Sequence, residues 1–248
     1  MRDMKSLRRG LDILGLFAER PRQDFAELAA ATKLPRSSLY RFLAALEERG
    51  FVRHDPATGE YAPGVLLYRL GGANAWLHEL RQAARAAMPA LARQIGESVY
   101  LYARDGANRV CVEAAESGNG PIKHAMQPGS VFPLHAGASG KAILAFLPDA
   151  ERARLVRTRV LRRFAPGTIT RAEPLEAGLG RIRRAGWAWS EEEVSPGAWA
   201  LAVPIRDAPG ACVGSLGVAG PLFRLRRDRV RDWARLLQAA SARLTKLI

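Results

Sequence analysis

Cysteine, histidine and long apolar runs are all scarce in this chain of 248 residues, and each scarcity excludes a class of protein. The two cysteines, Cys111 and Cys212, cannot build a disulfide framework, which favours a reducing cytoplasm. No run of about 18 apolar residues is present, so neither a membrane-spanning helix nor a membrane partner is expected. The N-terminus, MRDMKSLRRGLDILGLF, mixes charges into its apolar positions and is not expected to be a secretion signal. The four histidines have no second ligand at metal spacing, so no metal or other cofactor is expected.

The positive charge of the chain is large but unevenly distributed. Lysine and arginine number 38 against 24 acidic residues, a net charge of +14. Residues 1–64 hold 11 basic and 9 acidic side chains, whereas residues 151–184 hold 10 Arg and 3 Glu. Residues 224–246 hold 8 basic side chains and 2 Asp, so most of the excess lies towards the C-terminus. The total charge is therefore weak evidence for nucleic-acid binding, and the local arrangement has to decide.

The first 64 residues predict three short helices followed by a hairpin. Apolar residues recur at helical spacing over residues 4–19, and Asp24 with Glu27 has the pattern of a capping box that begins a second helix. Pro35 suits the first turn of a third helix, which Gly50 ends. FVRHD, PATG and EYAPG then predict strand, turn and strand. This order is typical of a winged helix-turn-helix DNA-binding domain.

The third helix is predicted to bury one face and to offer the other to double-stranded DNA. Leu39, Phe42, Leu43 and Leu46 share the apolar face. Hydroxyls, a phenol and guanidiniums on the helix, together with polar residues of the wing, can reach base edges or phosphates. These candidate DNA contacts are Arg36, Ser37, Ser38, Tyr40, Arg41, Arg53, His54 and Thr58. The alternative is a solvated polar face on a winged helix that binds protein.

The remainder of the chain predicts a linker helix over residues 65–82 and a second domain over residues 83–248. The apolar stripe of the linker helix favours a dimer seam or packing on its own domain about equally. Gly71-Gly72 and Pro89 are expected to interrupt the helical pattern. Beyond it, hairpins and flanking helices predict an α+β domain with an antiparallel sheet. The expected strands are VYLYA, RVCVEAA, WAWSEEEV, WALAVPIRD and CVGSLGVAG.

No catalytic constellation is predicted. GASGK lacks the first glycine and the final hydroxyl of a phosphate loop, and Ser139 and Ser195 lack the context of an activated nucleophile. Glu191-Glu192-Glu193 is interpreted as a solvated strand end. What remains is a set of small residues in HAGASGK, SPGAWALAVP and SLGVAG, which indicates either a ligand pocket or close sheet–helix packing. In the pocket interpretation, backbone N–H groups at the helix N-terminus favour a carboxylate.

Several segments resemble those of a known family, in the same order along nearly the whole chain. They are SLRRGLDILGLFAE, LAAATKLPRSSLYRFLAALEERGFVRHDPATGEYAPG, FPLHAGASGKAILAFLP, TITRAEPLEAGLGRIRRAGWAWSEEEVSPGAWALAVPIRD and GSLGVAGP. Together they resemble the IclR family of bacterial transcriptional regulators. The resemblance implies a winged helix-turn-helix, a linker helix and a GAF-like effector domain with an antiparallel sheet. It also implies homodimers, often paired into homotetramers on DNA, and effectors that are commonly small organic acids.

By position, the resemblance assigns the recognition helix to the segment from Pro35 and the effector pocket to the Ala136–Gly140 loop with the last three strands. The effector-binding residues implied are Met126, Leu134, Ala136, Gly137, Ala138, Ser139, Trp189, Ser190, Trp199, Ala200, Gly217 and Ala219. The chain departs from the family pattern at Ser190, where an acidic residue is common, and at Trp199-Ala200, where Arg-Cys is common. It also has Gly217-Val218-Ala219-Gly220 in place of Ser-Val-Ser-Gly. These changes favour an aromatic or otherwise bulky acid, or else a pocket that has lost its ligand.

The function predicted is therefore a ligand-responsive, sequence-specific DNA-binding regulator and not an enzyme. The alternative is a metabolite-binding protein or enzyme with a vestigial winged helix. Salt-sensitive binding to DNA that flanks its own gene discriminates the two. The sequence leaves open the operator, the sign of regulation, the effector and the choice between dimer and tetramer.

Overall fold

The computed structural model describes residues 4–73, 75–118, 126–158 and 160–246. The chain forms two compact units, Met1–Ala75 and Trp76–Ile248. Among the helices of the described residues, none is both long and apolar enough to cross a membrane.

The N-terminal unit has the elements of the predicted winged helix-turn-helix. Its helices are α1 (Lys5–Glu19), α2 (Phe25–Thr32), α3 (Arg36–Glu48) and α4 (Val65–Gly72). Its strands are β1 (Gln23–Asp24), β2 (Val52–His54) and β3 (Glu60–Pro63). The strands pair antiparallel in the order β1-β3-β2, so β2 and β3 form the wing and β1 adds a short third strand.

Local signals set the ends of α2 and α3. The Glu27 N–H donates to Asp24 Oδ1 at 2.8 Å and the Asp24 N–H donates to Glu27 Oε2 at 3.1 Å, which confirms the capping box. Lys33 ends α2 in the left-handed region at φ 54°. Pro35 has an extended ψ of 140°, so α3 begins one residue later, at Arg36.

The face predicted for α3 packs into the core of this unit. Leu39 and Leu43 are buried, while Phe42 and Leu46 pack against the same cluster and are half-buried. The cluster joins α1, α2, α3 and the wing through Ile13, Phe17, Leu28, Leu39, Leu43, Val52 and Tyr61.

Helix α1 buries one face in the core and leaves two leucines of its helical pattern on an exposed face. Ile13 and Phe17 reach the core, whereas Leu7 and Leu11 are 53% and 58% exposed. Helical spacing predicts that a face exists, but it does not decide whether that face meets this chain or another surface.

The segment predicted as one linker helix over residues 65–82 contains a break. Helix α4 ends at Gly72 and α5 runs over Ala75–Ile95; residue 74 lies outside the described residues. Gly71-Gly72 explains the end of α4, because glycine is a poor helix former. Pro89, however, lies inside α5, and the expected interruption there is wrong. Burial of Met88 and Ala92 beside it favours continuing the helix despite the lost hydrogen bond.

The C-terminal unit is built on an antiparallel sheet with helices on both faces. Its strands are β4 (Ser98–Asp105), β5 (Asn108–Ala115), β6 (Val131–Pro133), β7 (Ala188–Glu191), β8 (Ala198–Arg206) and β9 (Cys212–Pro221). They pair in the order β6-β5-β4-β9-β8-β7. The remaining helices are α6 (Gly137–Leu144), α7 (Asp149–Thr158), α8 (Ala172–Ala185) and α9 (Val230–Thr245). This is the predicted α+β, GAF-like arrangement.

Alternation along the strands separates two cores. On β8, Trp199 and Leu201 belong to the cluster that packs against α5 and α9. Ala200 and Ala202 point to the opposite face, where α6, α7 and α8 lie. The thiols of Cys111 and Cys212 are both buried and free.

Candidate functional site

The start of α3 presents polar side chains to solvent. Arg36, Ser37, Tyr40 and Arg41 are exposed and Ser38 is half-buried. Tyr40 is 64% exposed, which is high for an aromatic ring. The side chains of this half of the helix therefore lie where a second molecule can reach them.

The charges on α3 are segregated along its length. The guanidiniums of Arg36 and Arg41 form no ion pair with any described residue, and the first turn holds no acidic side chain. Glu47 and Glu48 lie at the opposite end. Arg36 packs over the Phe25 ring, 5.1 Å from its centroid, which holds the guanidinium against α2. Basic side chains and the positive end of the helix dipole thus favour an anion at the start of α3.

The wing residues Arg53, His54 and Thr58 are all exposed. The His54 N–H donates to Glu47 Oε1 at 3.1 Å, and the His54 ring lies 4.6 Å from that of Tyr61. These contacts tie the wing to α3. The structure thus places every predicted DNA-contacting residue in one unit, with the helix and wing candidates on the surface.

The second candidate site is a cavity of about 30 Å³ between the sheet and the N-terminal end of α6. Its lining includes nine of the twelve predicted effector-binding residues. They are Met126, Gly137, Ala138, Ser139, Ser190, Trp199, Ala200, Gly217 and Ala219. Small side chains keep the sheet and α6 close, which explains both the position of the cavity and its small volume.

Three predicted residues lie outside the lining. Leu134 packs in the core formed with α6 and α7. Ala136 contributes its carbonyl oxygen to Arg109 rather than its side chain to the cavity. Trp189 packs on the opposite face of the sheet, and its Nε1 donates to Glu191 Oε1 at 3.0 Å.

The ring of Trp199 also belongs to the opposite face, although Trp199 borders the cavity. It is 1% exposed and stacks between two other indoles. Its centroid is 5.4 Å from that of Trp189 and 5.1 Å from that of Trp233, with interplanar angles of 17° and 7°. Strand alternation turns the ring of Trp199 towards α9, so the flat face of this indole is not part of the cavity surface.

Sequence reasoning missed seven residues of the lining. They are Tyr100, Tyr102, Arg109, Val194, Ser195, Ala198 and Val218. The aromatic wall of the cavity is thus formed by Tyr100 and Tyr102, whose centroids are 6.3 Å apart. Burial raises the pKa of the Tyr102 hydroxyl above its usual range, so it stays protonated. The alternation in VYLYA predicts that these two tyrosines lie on the same face of their strand. It does not predict that this face meets α6, because that depends on the order of the strands in the sheet.

The backbone N–H groups at the start of α6 already have partners. The Gly137 N–H donates to Glu193 Oε2 at 3.0 Å and the Ala138 N–H donates to Ser190 Oγ at 2.9 Å. The expectation that these two N–H groups receive a ligand carboxylate is therefore wrong in this structure. Ser190, which stands where an acidic residue is common in the family, instead holds the end of the helix.

Glu193 is buried, so its interpretation as part of a solvated strand end is also wrong. Strand β7 ends at Glu191, and Glu192 has a left-handed φ of 52°, which breaks the alternation and turns Glu193 inwards. Its Oε1 accepts from Lys141 Nζ, and Lys141 also donates to the Trp189 carbonyl at 3.0 Å. Burial lowers the pKa of Lys141, while the Glu193 carboxylate opposes that shift.

Family models match both units of the chain. The model described as the bacterial transcriptional regulator IclR C-terminal domain matches residues 75–246, and that of the IclR helix-turn-helix domain matches residues 6–56.

Curated regulators and solved structures are similar over most of the chain. KipR from Bacillus subtilis is 29% identical over 98% of this chain and 97% of its own. The glycerol operon regulatory protein of Streptomyces griseus is 33% identical over 92% and 89%. An IclR transcriptional regulator from Silicibacter sp. TM1040 has a TM-score of 0.85 at 26% identity, covering 97% of this chain and 94% of that one. Thermotoga maritima IclR has a TM-score of 0.73 at 27% identity over 98% of both chains. The chain therefore belongs to the IclR family of bacterial transcriptional regulators.

Proposed function

We propose that this regulator binds a specific operator through α3 and the wing, and that an organic acid in the α6 cavity changes its affinity for that DNA. The observation that carries the proposal is the exposed start of α3, where Arg36 and Arg41 have no ion pair among the described residues. Unpaired guanidiniums on a recognition helix are suited to guanine edges and phosphates. The relatives named above are transcriptional regulators, which agrees with this role. Such a protein would act on DNA in the cytoplasm.

The effector proposed is an aromatic or otherwise bulky organic acid. Tyr100 and Tyr102 supply aromatic surface for it. The cavity of about 30 Å³ is too small for such a molecule, since benzene occupies a cavity of roughly 150 Å³. Binding would therefore separate the walls about α6, and this widening is the conformational change that the effector would favour.

An IclR homologue from Microbacterium hydrocarbonoxydans has been crystallised with 4-hydroxybenzoate. It is 23% identical to this chain, a similarity that indicates a shared fold and not a shared ligand. 4-Hydroxybenzoate is for that reason a test compound here, to be compared with pyruvate as a small acid.

We propose a homodimer, or a homotetramer made of dimers, as the DNA-binding form. The N-terminal unit leaves large apolar side chains on α1 and α4 exposed, and such patches mark association surfaces. They are Leu7 and Leu11 on α1, Met4 at its N-cap, and Val65, Tyr68 and Leu70 on α4, each more than half exposed. A symmetric dimer would read half-sites about one helical turn apart, or a multiple of it.

Sedimentation equilibrium tests the dimer through α1. Leu7→Glu combined with Leu11→Glu places two charges on the apolar patch, so the mass should shift towards the monomer. Arg9→Glu, an exposed position on the opposite side of the same helix from Leu7 and Leu11, is the matched control and should leave the mass unchanged. An unchanged mass for the double variant would exclude this face as the seam.

Gel-shift titration tests operator binding by the full-length protein. The DNA is a set of promoter fragments that flank the gene, with random duplex as competitor. Arg36→Ala and Arg41→Ala should each weaken specific binding by about 1–3 kcal/mol if the guanidiniums contact bases. Arg49→Ala, at the far end of α3, is the control and should change affinity by less than about 0.5 kcal/mol.

Two results would contradict the DNA-binding proposal or its details. The proposal of specific DNA binding would be wrong if the protein, with or without the test acids, showed no preference for any promoter fragment over random duplex at moderate salt. If the Arg36 and Arg41 variants lost the same affinity for all DNA sequences, those two residues would contact only phosphates.

An enzyme or metabolite-binding protein with a vestigial winged helix is the second candidate. It would bind the acid while showing no salt-dependent, sequence-specific DNA binding. The described part of the chain brings no three metal-ligating side chains together, and the relatives named above are regulators. The regulator is the function that the site supports better.

A further inference from the structure

Arg109, which has no assigned role, is a buried cation at the wall of the α6 cavity. It comes from β5 and is 2% exposed. Its guanidinium carbon lies 5.2 Å from the centroid of Tyr102 and 5.3 Å from that of Phe132, so two rings hold the side chain in place. Arg109 lines the cavity, and the two rings fix the orientation of its guanidinium there.

One nitrogen of this guanidinium is used by the backbone, and another has no partner among the described residues. Nη1 donates to the carbonyl oxygens of Pro133 at 2.9 Å and Ala136 at 2.8 Å. Nε donates to no atom of the described residues, although it is buried. A buried donor without an acceptor is costly, and such atoms in native proteins commonly mark a site for a ligand or water. The Nε edge is the part of Arg109 available to an acceptor.

The charges around Arg109 do not balance. The carboxylate of Glu193 is engaged by Lys141 through Oε1 and by the Gly137 N–H through Oε2. Arg109 itself forms no ion pair with any described residue. One anion and two cations leave the buried cluster with a net charge of +1. A single negative charge placed beside Arg109 would neutralise it, whereas a second would be left unpaired.

We propose that the Nε edge of Arg109 binds the carboxylate of the effector, and that the site therefore selects monocarboxylates over neutral analogues and dicarboxylates. This inference rests on the proposed function of the cavity as the effector site. The Nε atom is closed to a water-sized group in this structure and the cavity holds only about 30 Å³, so the carboxylate reaches Nε when the walls separate to admit the body of the effector. Planar guanidinium and carboxylate groups also match in geometry, which a lysine does not reproduce.

The test measures stabilisation of the full-length protein by matched acids and amides at constant ionic strength. The probes are acetate, pyruvate, benzoate and 4-hydroxybenzoate, with acetamide and benzamide as neutral isosteres and terephthalate as a dianion. All five tryptophans lie in the C-terminal unit, so indole fluorescence during urea unfolding reports on that unit. At least one monocarboxylate should stabilise saturably, with its amide and the dianion weaker by roughly 100-fold.

Variants then connect the effect to Arg109. Arg109→Gln should lose the selectivity for acid over amide. Arg109→Lys should retain only part of that selectivity, because lysine keeps the charge but lacks the Nε edge of the guanidinium. Should neither variant fold, a shift of the buried Arg109 Nε–H resonance of the unaltered protein, produced by the acid and not by its amide, gives the same information.

Two outcomes would overturn the inference: acids that stabilise no more than their amides, or equal stabilisation of the parent and Arg109→Gln. Gel-shift titration separates these outcomes from failure of the proposed function. A protein that binds its operator and responds to a neutral compound refutes the role of Arg109 alone. A protein that binds acids at Arg109 and no operator refutes the regulator alone.

Discussion

The buried ion pair between Lys141 and Glu193 should be among the most sensitive points of the C-terminal unit. Both side chains are at most 7% exposed, and each has a further hydrogen bond, to the Trp189 carbonyl and the Gly137 N–H. Removing one partner leaves a buried charge without its counter-ion, which costs about 3–5 kcal/mol. Lys141→Met and Glu193→Gln should each lose that amount.

The double variant should lose much less than the sum of the two single variants. With both charges gone, the glutamine side chain that replaces the acid can still accept from the Gly137 N–H. The free energy of unfolding should then fall by only about 1–3 kcal/mol, because some hydrogen bonds are lost or poorly formed. The coupling free energy should therefore be at least about 3 kcal/mol, well above the 0.5 kcal/mol or so by which independent sites depart from additivity.

Urea unfolding followed by indole fluorescence provides the assay, because every tryptophan lies in the C-terminal unit. With a slope of about 2–3 kcal/mol per molar urea, each single substitution should lower the midpoint by about 1–2.5 M. Additive losses, or a loss under about 1 kcal/mol in either single variant, would refute the reasoning. Either result would mean that water reaches the pair and screens it.

Three further predictions concern backbone, pH and thiols. In Gly64→Ala the new Cβ would lie 2.1 Å from the Gly50 carbonyl oxygen, so the N-terminal unit should lose about 1–3 kcal/mol by circular dichroism. Gly15→Ala, in open space on α1, should instead gain up to about 1 kcal/mol. Burial lowers the pKa of His135, so its contribution to stability is complete above about pH 6.5 and is lost as the pH falls through the folded-state pKa; His135→Gln should flatten that loss in urea midpoints between about pH 7.5 and 5.5. Burial raises the pKa of Cys111 to about 12 and that of Cys212 to about 11, so neither thiol should react with a disulfide reagent at pH 8 until urea unfolds the chain.

Each of these predictions has an outcome that would contradict it. A neutral Gly64→Ala would show that β3 and α3 separate easily at that point. A pH profile that His135→Gln leaves unchanged would assign the acid sensitivity to other groups. Rapid reaction of two thiols in the folded protein would show that the sheet opens, since at pH 8 only about 1 in 10,000 groups with a pKa of about 12 is ionised.

Local chemistry made the N-terminal unit largely predictable from sequence. The capping box at Asp24 and the apolar spacing of α3 depend on residues three or four positions apart, and the structure confirms both. Exposure of Leu7 and Leu11 was not predictable, because the spacing of a helix face does not identify its partner.

The cavity depends instead on contacts between distant parts of the chain. Glu193 becomes buried because one left-handed residue, Glu192, ends the alternation that the sequence pattern assumes. Arg109 reaches the cavity because β5 is placed beside β4 and the carbonyls of the loop before α6 receive its Nη1. Pro89 stays helical because the burial of its neighbours outweighs a local preference. A single sequence carries no direct record of such pairings.

The stack formed by Trp189, Trp199 and Trp233 joins β7, β8 and α9 through three almost parallel indoles. The strong far-ultraviolet transition dipoles of indoles at such short separations couple, so the far-ultraviolet circular dichroism of this protein should contain an exciton doublet in addition to the backbone bands. Because the neighbours of Trp199 on β8 border the cavity from the other side of the sheet, movement of that strand would change the doublet. The circular dichroism of the three indoles should therefore report displacement of β8 during titration with a compound, without any added label.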